Sequence, residues 1–220
     1  MINLNFHRVF NRLHDVIKGA PLDPNGRHCY IRVVRIVGGT LRGRRIAVPS
    51  EQVRPTTERV REALMSLLGP QWENRRVLDC FAGSGAFGFE ALSRGASAVT
   101  FVDNHRKTGR HLSDTTAALD VKDRVSLHIG DATTVLKHLS EAGEWFDVLF
   151  FDPPYGHDHL AQILPLCSAI TAPNGAVVTE HEPNEMLPDS ADGLVLSDRR
   201  RYGSTAISIY RPTDSAEAHA

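Results

Sequence analysis

From residue 76 onward, short apolar runs alternate with longer segments whose apolar residues recur every three or four positions. Short apolar runs are typical of strands, and the wider spacing is typical of amphipathic helices. The run Phe146–Phe151 is apolar almost throughout, which indicates a strand covered on both faces. The pattern predicts strands at Arg76–Cys80, Ala98–Asp103, Val125–Ile129, Phe146–Phe151 and Gly175–Glu180, and helices at 86–94, 105–119, 132–139 and 158–170.

This regular alternation predicts a doubly wound α/β fold built on a parallel sheet. Two more strand-like runs, Leu194–Ser197 and Thr205–Tyr210, follow with no room for a helix between them. Because parallel neighbours need a long crossover, we expect these two strands to form an antiparallel pair. The expected architecture is therefore a mixed seven-stranded sheet with a C-terminal antiparallel pair.

The front of the chain has a different pattern. Runs at Val33–Val37 and Arg45–Val48 are separated by glycines, which predicts a small β-hairpin. The segment RPTTERVREALMSLL then has helical spacing, with Thr57 as a candidate cap. A short basic amphipathic helix and a linker rich in proline and glycine come before the hairpin. The expected division is an extension and linker at 1–33, a basic β-hairpin module at 34–53, an α/β domain at 54–212 and a loose tail at 213–220.

Charge is distributed unevenly along the 220 residues, although the formal net charge of the chain is only -1. Residues 1–62 hold 12 Lys and Arg against 5 Asp and Glu, a net charge of +7, while the remaining residues hold 13 against 21, a net charge of -8. The average therefore gives no reason to expect a nucleic acid, but the basic front end suits an anionic partner.

Other features narrow the class of protein. The three cysteines are far apart, which predicts neither a disulfide framework nor a cysteine zinc site. The eleven histidines show no metal-ligand spacing, so no metal is expected. The sequence has no apolar run of about 18 residues and no secretory signal pattern. We therefore expect a cytoplasmic protein that does not enter a membrane. The expected oligomeric state is a monomer.

A glycine-rich turn follows the first strand of the α/β domain. In DCFAGSGAFGFEAL, Gly83, Gly85 and Gly88 have the GxGxxG spacing, which lets the backbone approach a nucleotide-like ligand closely. Asp103, at the end of the next strand, can accept hydrogen bonds from both ribose hydroxyls. These residues alone would also suit NAD, and a tight turn without a ligand remains an alternative.

The fourth strand carries the residues that decide between these cofactors. FDVLFFDPPYG ends in Asp152, Pro153, Pro154 and Tyr155, and the carboxyl ends of strands are where open α/β sheets bind ligands. Asp152 and the Pro153 carbonyl can accept hydrogen bonds from an exocyclic amino group while Tyr155 stacks on the base. An NAD-dependent dehydrogenase has no need for this arrangement.

Together these motifs resemble the S-adenosylmethionine-dependent amino-methyltransferases, and in particular the RsmD family of bacterial small-subunit (16S) ribosomal RNA guanine-N2 methyltransferases. The resemblance extends from about Arg35 to Tyr210. Its departures are Phe87 and Phe89, where leucine is common, and residues 1–33, which precede the usual start. Five blocks carry it in order: RIVGGTLRGRRIAVP, RPTTERVREAL, LDCFAGSGAFGFEALSRGA, DPPY and RRYGST.

The resemblance implies a Rossmann-like class I methyltransferase with strand order 3-2-1-4-5-7-6 and S-adenosylmethionine as cofactor. It implies catalytic roles for Asp152, Pro153 and Tyr155. It also implies that Asp103 holds the ribose and that Asp131 faces the adenine, although Asp131 alone equally suits a helix N-cap. The implied cofactor-binding residues are Asp79, Ala82, Gly83, Ser84, Gly85, Asp103 and Asp131.

The expected reaction transfers a methyl group to N2 of an unpaired guanine, in naked ribosomal RNA or in an assembling particle. Other functions stay open, namely N6-adenine methylation of DNA or RNA, protein glutamine methylation, and a non-catalytic role in RNA binding or assembly. The sequence pattern assigns no role to Glu180 or Glu182. The expected phosphate-facing residues are Arg35, Arg42, Arg44, Arg45, Arg54, Arg59 and Arg61.

Overall fold

The computed structural model describes residues 33–48, 58–154 and 159–213. Two short 3-10 turns, at Lys122–Arg124 and Ser168–Ile170, connect helices to the strands that follow them. In chain order the elements are β1 (Val33–Arg35), β2 (Arg45–Ala47), α1 (Glu58–Leu67), β3 (Arg76–Cys80), α2 (Ala86–Arg94), β4 (Ala98–Asp103), α3 (Arg106–Leu119), β5 (Val125–Ile129), α4 (Ala132–Glu141), β6 (Phe146–Phe151), α5 (His159–Cys167), β7 (Thr171–His181), β8 (Ser190–Ala191), β9 (Leu194–Tyr202) and β10 (Thr205–Pro212).

Eight strands form the main sheet in the order β5-β4-β3-β6-β7-β10-β9-β8. The first five strands in this order are parallel, whereas β10 is antiparallel to both β7 and β9. This confirms the doubly wound α/β class and the order of the seven expected strands. The additional edge strand, β8, has only two residues and is too short to leave a hydrophobic pattern.

Strand β9 is longer than its hydrophobic pattern predicts. It continues beyond Ser197 through three arginines to Tyr202, because nearly its whole length pairs with β10. The arginine backbones supply ladder hydrogen bonds while most of their side chains lie exposed. Backbone pairing with an apolar neighbour therefore decides the extent of this strand.

The sheet has an apolar cluster on each face. One cluster contains Phe150 and Val178 together with residues of α1, α2 and the hairpin. The other contains Phe151 and Val177 together with residues of α4 and α5. Because successive strand residues point to opposite faces, this division shows which side of the sheet each strand residue faces.

The small β1–β2 hairpin packs on the same face as α2. Ile36 and Ile46 are each 1% exposed and belong to the cluster that contains Phe150. Val34 and Val48, at the open end of the hairpin, pack on Ala86 at the start of α2. Thr40, near the turn, instead donates a hydrogen bond to the carbonyl of Ser93 near the end of α2. The hairpin therefore runs along α2, and the boundaries given above for separate modules stay a prediction.

Glu90 of α2 joins the hairpin to the body. Its carboxylate is fully buried and accepts hydrogen bonds from the backbone N–H groups of Val37 and Gly38, at 2.9 and 2.8 Å. Arg94 Nε donates to the same carboxylate at 2.9 Å, and Arg61 Nε lies 3.7 Å from it. Glu90 thus offsets the charge of a buried arginine while it satisfies two partly buried backbone donors.

We expect Glu90→Ala to lower the free energy of unfolding by about 3–5 kcal/mol, the typical cost of leaving a buried charge without its partner. Arg61 would lose its ion-pair partner, and two hairpin N–H groups would lose their acceptor. Urea unfolding followed by circular dichroism measures the change. Glu62→Ala is the matched control, because Glu62 is exposed on α1. A loss below about 1 kcal/mol, the typical value for an exposed ion pair, would contradict this role for Glu90.

The remaining sequence predictions fall partly outside the described ranges. These include the N-terminal helix and linker, Arg54, Tyr155 and most of the tail. None of the helices within the described ranges combines the length and apolar character needed to span a membrane. Within the same ranges, no three His, Cys, Asp or Glu side chains group in a way that could hold a metal ion.

Candidate active site

Three aspartates lie where β3, β4 and β6 end at one edge of the sheet, which is called the carboxyl edge below. Asp79 pairs in register with Phe101 of β4 and Phe150 of β6. Asp103 is the last residue of β4, and Asp152 directly follows β6. Parallel strands whose carboxyl ends meet form the ligand-binding edge of open α/β sheets. The structure therefore brings together three residues that are far apart in the sequence.

The turn between β3 and α2 is held against the end of β4. The backbone N–H of Gly83 donates to Asp103 Oδ2 at 3.0 Å, and that of Ala82 donates to the carbonyl of Val102 at 3.1 Å. Gly83 and Gly85 have φ angles of +52° and +73°, which glycine adopts without strain. The predicted turn residues Ala82, Gly83, Ser84 and Gly85 therefore lie beside Asp103.

The third glycine of the motif serves helix packing. A Cβ atom at Gly88 would lie 2.4 Å from Cε1 of Phe101 on β4, closer than any real contact. Its backbone N–H donates to Asp79 Oδ2 at 2.9 Å. The absence of a side chain at this position therefore lets α2 approach the sheet closely enough to cap the Asp79 carboxyl group.

Asp79 is a buried carboxyl group that has an unusual affinity for a proton. Its side chain is 2% exposed, and this burial raises its pKa to about 8. The hydrogen bond from Gly88 lowers the pKa, and the nearby charge of Asp103 raises it. A carboxyl group held in this way favours a cationic partner, because a positive charge would compensate for the lost hydration of the ionised form.

Asp103 already accepts two backbone hydrogen bonds. Oδ2 accepts from Gly83, as described, and Oδ1 accepts from the N–H of His105 at 2.8 Å. A carboxylate has about four lone-pair positions, so two of them stay available for hydroxyl donors. These two backbone hydrogen bonds fix the orientation of the Asp103 carboxylate, which can still bind a diol.

Asp131 caps α4, which is one of the two roles that its position in the sequence suggests. Its Oδ1 accepts from the N–H of Thr134 at 3.0 Å and from the Thr133 hydroxyl. These hydrogen bonds, chiefly the one from Thr133, lower the pKa of Asp131. The residue is exposed at the carboxyl edge beyond β5, so its adenine-facing role stays a prediction alongside the cap.

Asp152 continues the ladder of β6, since its N–H donates to the carbonyl of Cys80 at 3.5 Å. Its side chain is half-buried, and Pro153 is buried. On the sheet face of Phe150, the Phe87 ring stacks on Phe150 with the ring centroids 4.2 Å apart. Phe87 is 4% exposed and gives this end of the site an apolar floor. Tyr155 lies outside the described residues, and its stacking role stays a prediction.

The arginines that the sequence predicts to face phosphate do not form a single surface in the structure. Arg61 is 1% exposed and donates to the carbonyl of Arg35 at 2.6 Å, so its expected contact with phosphate is wrong. Its burial, which lowers its pKa, serves the pair with Glu90. Arg44 is half-buried and donates to the carbonyl of Ala118 near the end of α3 at 2.8 Å. Arg42 is exposed in the same turn, away from the carboxyl edge.

The other described arginines of this set lie closer to the start of α2. Arg35 and Arg45 are register partners in the hairpin and are exposed. Arg35 forms an exposed ion pair with Glu58 at 3.0 Å, and exposed Arg59 follows Glu58 on α1. These three arginines form the part of the predicted surface that the structure brings together.

Three basic residues at the carboxyl edge are absent from the predicted set. Arg106, Lys107 and Arg110 are exposed on the first turns of α3, directly after Asp103 and His105. Among the described residues, no carboxylate forms an ion pair with them. The string HRKTGRH shows these basic residues in the sequence. It lies in the part of the chain whose net charge is negative, so a comparison of net charge between segments does not reveal it.

A further carboxylate, that of Glu180, lies at the same edge. Glu180 is the penultimate residue of β7 and is 5% exposed. Its neighbour His181 is buried, and the His181 ring bonds to the Ser208 hydroxyl and the Glu182 carbonyl, each at 2.8 Å. The sequence shows Glu180 after an apolar run, and the expected strand order places that strand beside the one that ends at Asp152, but the sequence does not give the register between the two strands.

Comparison with known proteins gives consistent matches over the described body. A family model described as conserved hypothetical protein 95 matches residues 34–211. The chain is 33% identical over 194 residues to ribosomal RNA small subunit methyltransferase D of Escherichia coli K12, covering 85% of this chain and 94% of the relative. The Haemophilus influenzae protein of the same name is 35% identical over 182 residues, covering 81% and 92%.

Two solved structures have the same fold. A hypothetical protein from Thermus thermophilus matches with a TM-score of 0.71 and 31% identity, covering 81% of this chain and 99% of that one. A SAM-dependent methyltransferase from Agrobacterium tumefaciens matches with a TM-score of 0.62 and 16% identity, covering 86% and 72%. The second likeness concerns the fold alone.

Proposed function

Since this chain belongs to the RsmD family, whose model is described as conserved hypothetical protein 95, we propose that it transfers a methyl group from S-adenosylmethionine to N2 of a guanine in small-subunit (16S) ribosomal RNA. The observation that carries the proposal is the convergence of Asp79, Asp103 and Asp152 at one edge of the sheet. Two of these carboxyl groups suit a cofactor that bears an ammonium group and a ribose, and the third suits an amino group.

The residues beside the glycine turn fit this cofactor chemically. Asp79 is buried with a raised pKa, which favours a cationic group such as the ammonium of a methionine moiety. Asp103 has lone pairs available for two ribose hydroxyls. Ala82, Gly83, Ser84 and Gly85 line the turn between them, and Asp131 lies beyond β5 for the adenine amino group. When bound, S-adenosylmethionine supplies a methyl group that its sulfonium already activates.

Asp152 and the Pro153 carbonyl orient the target amino group in this proposal. Guanine N2 is a weak nucleophile because its lone pair is delocalised into the ring. Acceptors placed at its two N–H groups favour the transition state, in which the lone pair is localised on nitrogen. The protein's main contribution is alignment, which in comparable reactions lowers barriers by about 7–11 kcal/mol. Tyr155 is proposed to stack on the base.

The RNA-facing surface is revised from the sequence prediction. We assign it to Arg106, Lys107 and Arg110 at the carboxyl edge, with Arg35, Arg45 and Arg59 beside the start of α2. These side chains are exposed and lie on both sides of the glycine turn. Phosphate contacts of this kind fix the position of an RNA without reading its sequence. Arg54 belongs to the sequence prediction and lies outside the described residues.

We expect the triple variant R106A/K107A/R110A to weaken RNA binding and to flatten its salt dependence. Each lost phosphate contact reduces the slope of log K against log salt by about 0.7–0.9. Titration of labelled small-subunit RNA at several salt concentrations measures the slope. Arg42→Ala is the matched control, because Arg42 is exposed at the other end of the hairpin. Equal slopes for the triple variant and the wild type would remove α3 from the RNA surface.

The proposed polymer specificity is tested by transfer of labelled methyl groups from S-adenosylmethionine. The substrates are small and large ribosomal subunits, and their naked RNAs, from a strain that lacks the corresponding enzyme. We expect label in small-subunit RNA only, and the ratio of particle to naked RNA shows the preferred substrate. Label in large-subunit RNA, or in protein, would contradict the proposal.

A further inference from the structure

We propose that Glu180 binds the N1–H of the target guanine and thereby selects guanine over adenine. This inference rests on the proposed function, because it assigns a specificity-determining role at the same site. It goes beyond the DPPY motif, since Glu180 comes from the neighbouring strand β7.

Register places Glu180 level with Asp152. Phe151 of β6 pairs with Thr179 of β7 in the parallel ladder. The next residues along the two strands are Asp152 and Glu180. Neighbouring strands lie about 4.8 Å apart, so the backbones of these two acidic residues are direct neighbours at the carboxyl edge.

The two side chains belong to the same face of the sheet. Glu180 is the antiparallel partner of Ile207, a member of the apolar cluster that contains Phe150 and Val178. Asp152 follows Phe150 by two residues, and strand side chains two apart share a face. This is the face on which Phe87 stacks on Phe150. Both carboxylates therefore lie above the apolar floor of the site.

Burial gives Glu180 the character of a recognition group. At 5% exposed, its carboxylate has given up most of its hydration, which is costly unless hydrogen bonds replace the water. Glu182, two residues further along, is exposed to solvent. A carboxylate can accept about four hydrogen bonds, so Glu180 can bind a base in addition to its partners within the protein.

The purines differ at the atom that Glu180 would meet. Guanine presents N1–H beside its N2 amino group, so this part of its edge offers adjacent donors that match two neighbouring carboxylates. Adenine presents the unprotonated N1 beside its N6 amino group, and the N1 lone pair would face the Glu180 carboxylate. A site built to accept a hydrogen bond rejects an analogue that lacks the donor, by about 10⁴-fold in favourable cases.

The test uses RNA in which the methylated guanine, once mapped, is replaced by 2-aminopurine. This base keeps the N2 amino group but has a lone pair at N1. We expect the wild-type protein to prefer guanine by at least about a thousandfold in kcat/KM, in line with other buried hydrogen-bonding sites. In Glu180→Gln, the amide N–H can donate to that lone pair. The preference is expected to fall by at least about tenfold, a loss of roughly 1.4 kcal/mol of discrimination.

Glu182→Gln is the matched control and should keep the wild-type preference. If Glu180→Gln lowers kcat/KM for both bases by the same factor, the residue is structural and the proposal is overturned. If the wild-type protein methylates 2-aminopurine with the same kcat/KM as guanine, this result alone overturns the proposal. Failure of the proposed function is distinguishable, because the wild-type protein would then transfer no methyl group to the guanine RNA.

Discussion

Replacement of Asp152 by Ala is expected to lower kcat for methyl transfer by about a hundredfold to a thousandfold, the range found when one hydrogen-bonding group that stabilises a transition state is removed. The N2 amino group would lose the acceptor that localises its lone pair, while the Pro153 carbonyl would stay in place. In this proposal Asp152 binds the target amino group rather than the cofactor, so cofactor affinity is expected to change little. Single-turnover transfer to RNA measures the rate, and equilibrium titration with S-adenosylmethionine measures the affinity.

Asp123→Ala is the control for this substitution. Asp123 is exposed in the 3-10 turn before β5, at the opposite edge of the sheet. An Asp152→Ala protein that transfers methyl groups at the wild-type rate would contradict the assigned role. Equal losses of rate and of cofactor affinity would instead place Asp152 in the cofactor site.

Replacement of Asp79 by Asn is expected to weaken S-adenosylmethionine binding by about a hundredfold, because breaking a buried charge pair typically costs 2–5 kcal/mol. Burial raises the pKa of Asp79 to about 8, so the empty protein holds this carboxyl group largely protonated at neutral pH. Only the ionised form attracts an ammonium group. Wild-type affinity should therefore rise from about pH 6 to about pH 7.5, approaching tenfold per pH unit, because ionisation below a pKa follows that slope. The Asn variant should lack this rise.

The same pKa predicts the sign of a stability effect in the empty protein. The folded state keeps the Asp79 proton up to about pH 8, whereas the unfolded state loses it near its ordinary value of 3.8. The stability associated with this proton is present below about pH 4 and is lost as the pH rises to about 8. Asn resembles the protonated acid, so the variant should fold normally and lack this decline. An unchanged pH dependence of both binding and unfolding would contradict the raised pKa.

Much of the sheet follows from local sequence patterns. Buried strands such as Phe146–Phe151 are recognisable because both faces must be apolar. The helices between them are recognisable because their apolar residues recur every three or four positions. The antiparallel end follows from the missing crossover between the last two long strands. The extent of β9 and the existence of β8 could not be predicted, because pairing with an existing edge, rather than side-chain character, holds those residues in strands.

Only part of the candidate site can be predicted from the sequence, because some of its residues are brought together by strand register and tertiary contacts. Asp79, Asp103 and Asp152 each end an apolar strand, so their common edge follows from the fold class. Glu180 ends such a strand too, but its partnership with Asp152 depends on the register of β6 and β7. Arg61 is predicted from the sequence to face phosphate, but the structure buries it. Its charge suggests an exposed residue, although its spacing from Leu64 and Met65 places it on the apolar face of α1. The tertiary contact with Glu90 of α2, which the sequence does not show, compensates for the buried charge.

The measurement that tests the central claim most directly is the identity of the methylated nucleoside. Small-subunit particles methylated by the wild-type protein are digested to nucleosides and separated by liquid chromatography with mass spectrometry, with Asp152→Ala as the blank. We expect N2-methylguanosine, formed in one molar equivalent per small subunit and absent from the blank. Methyladenosine as the product, or cofactor binding with no methylated nucleoside in any RNA, would contradict this claim.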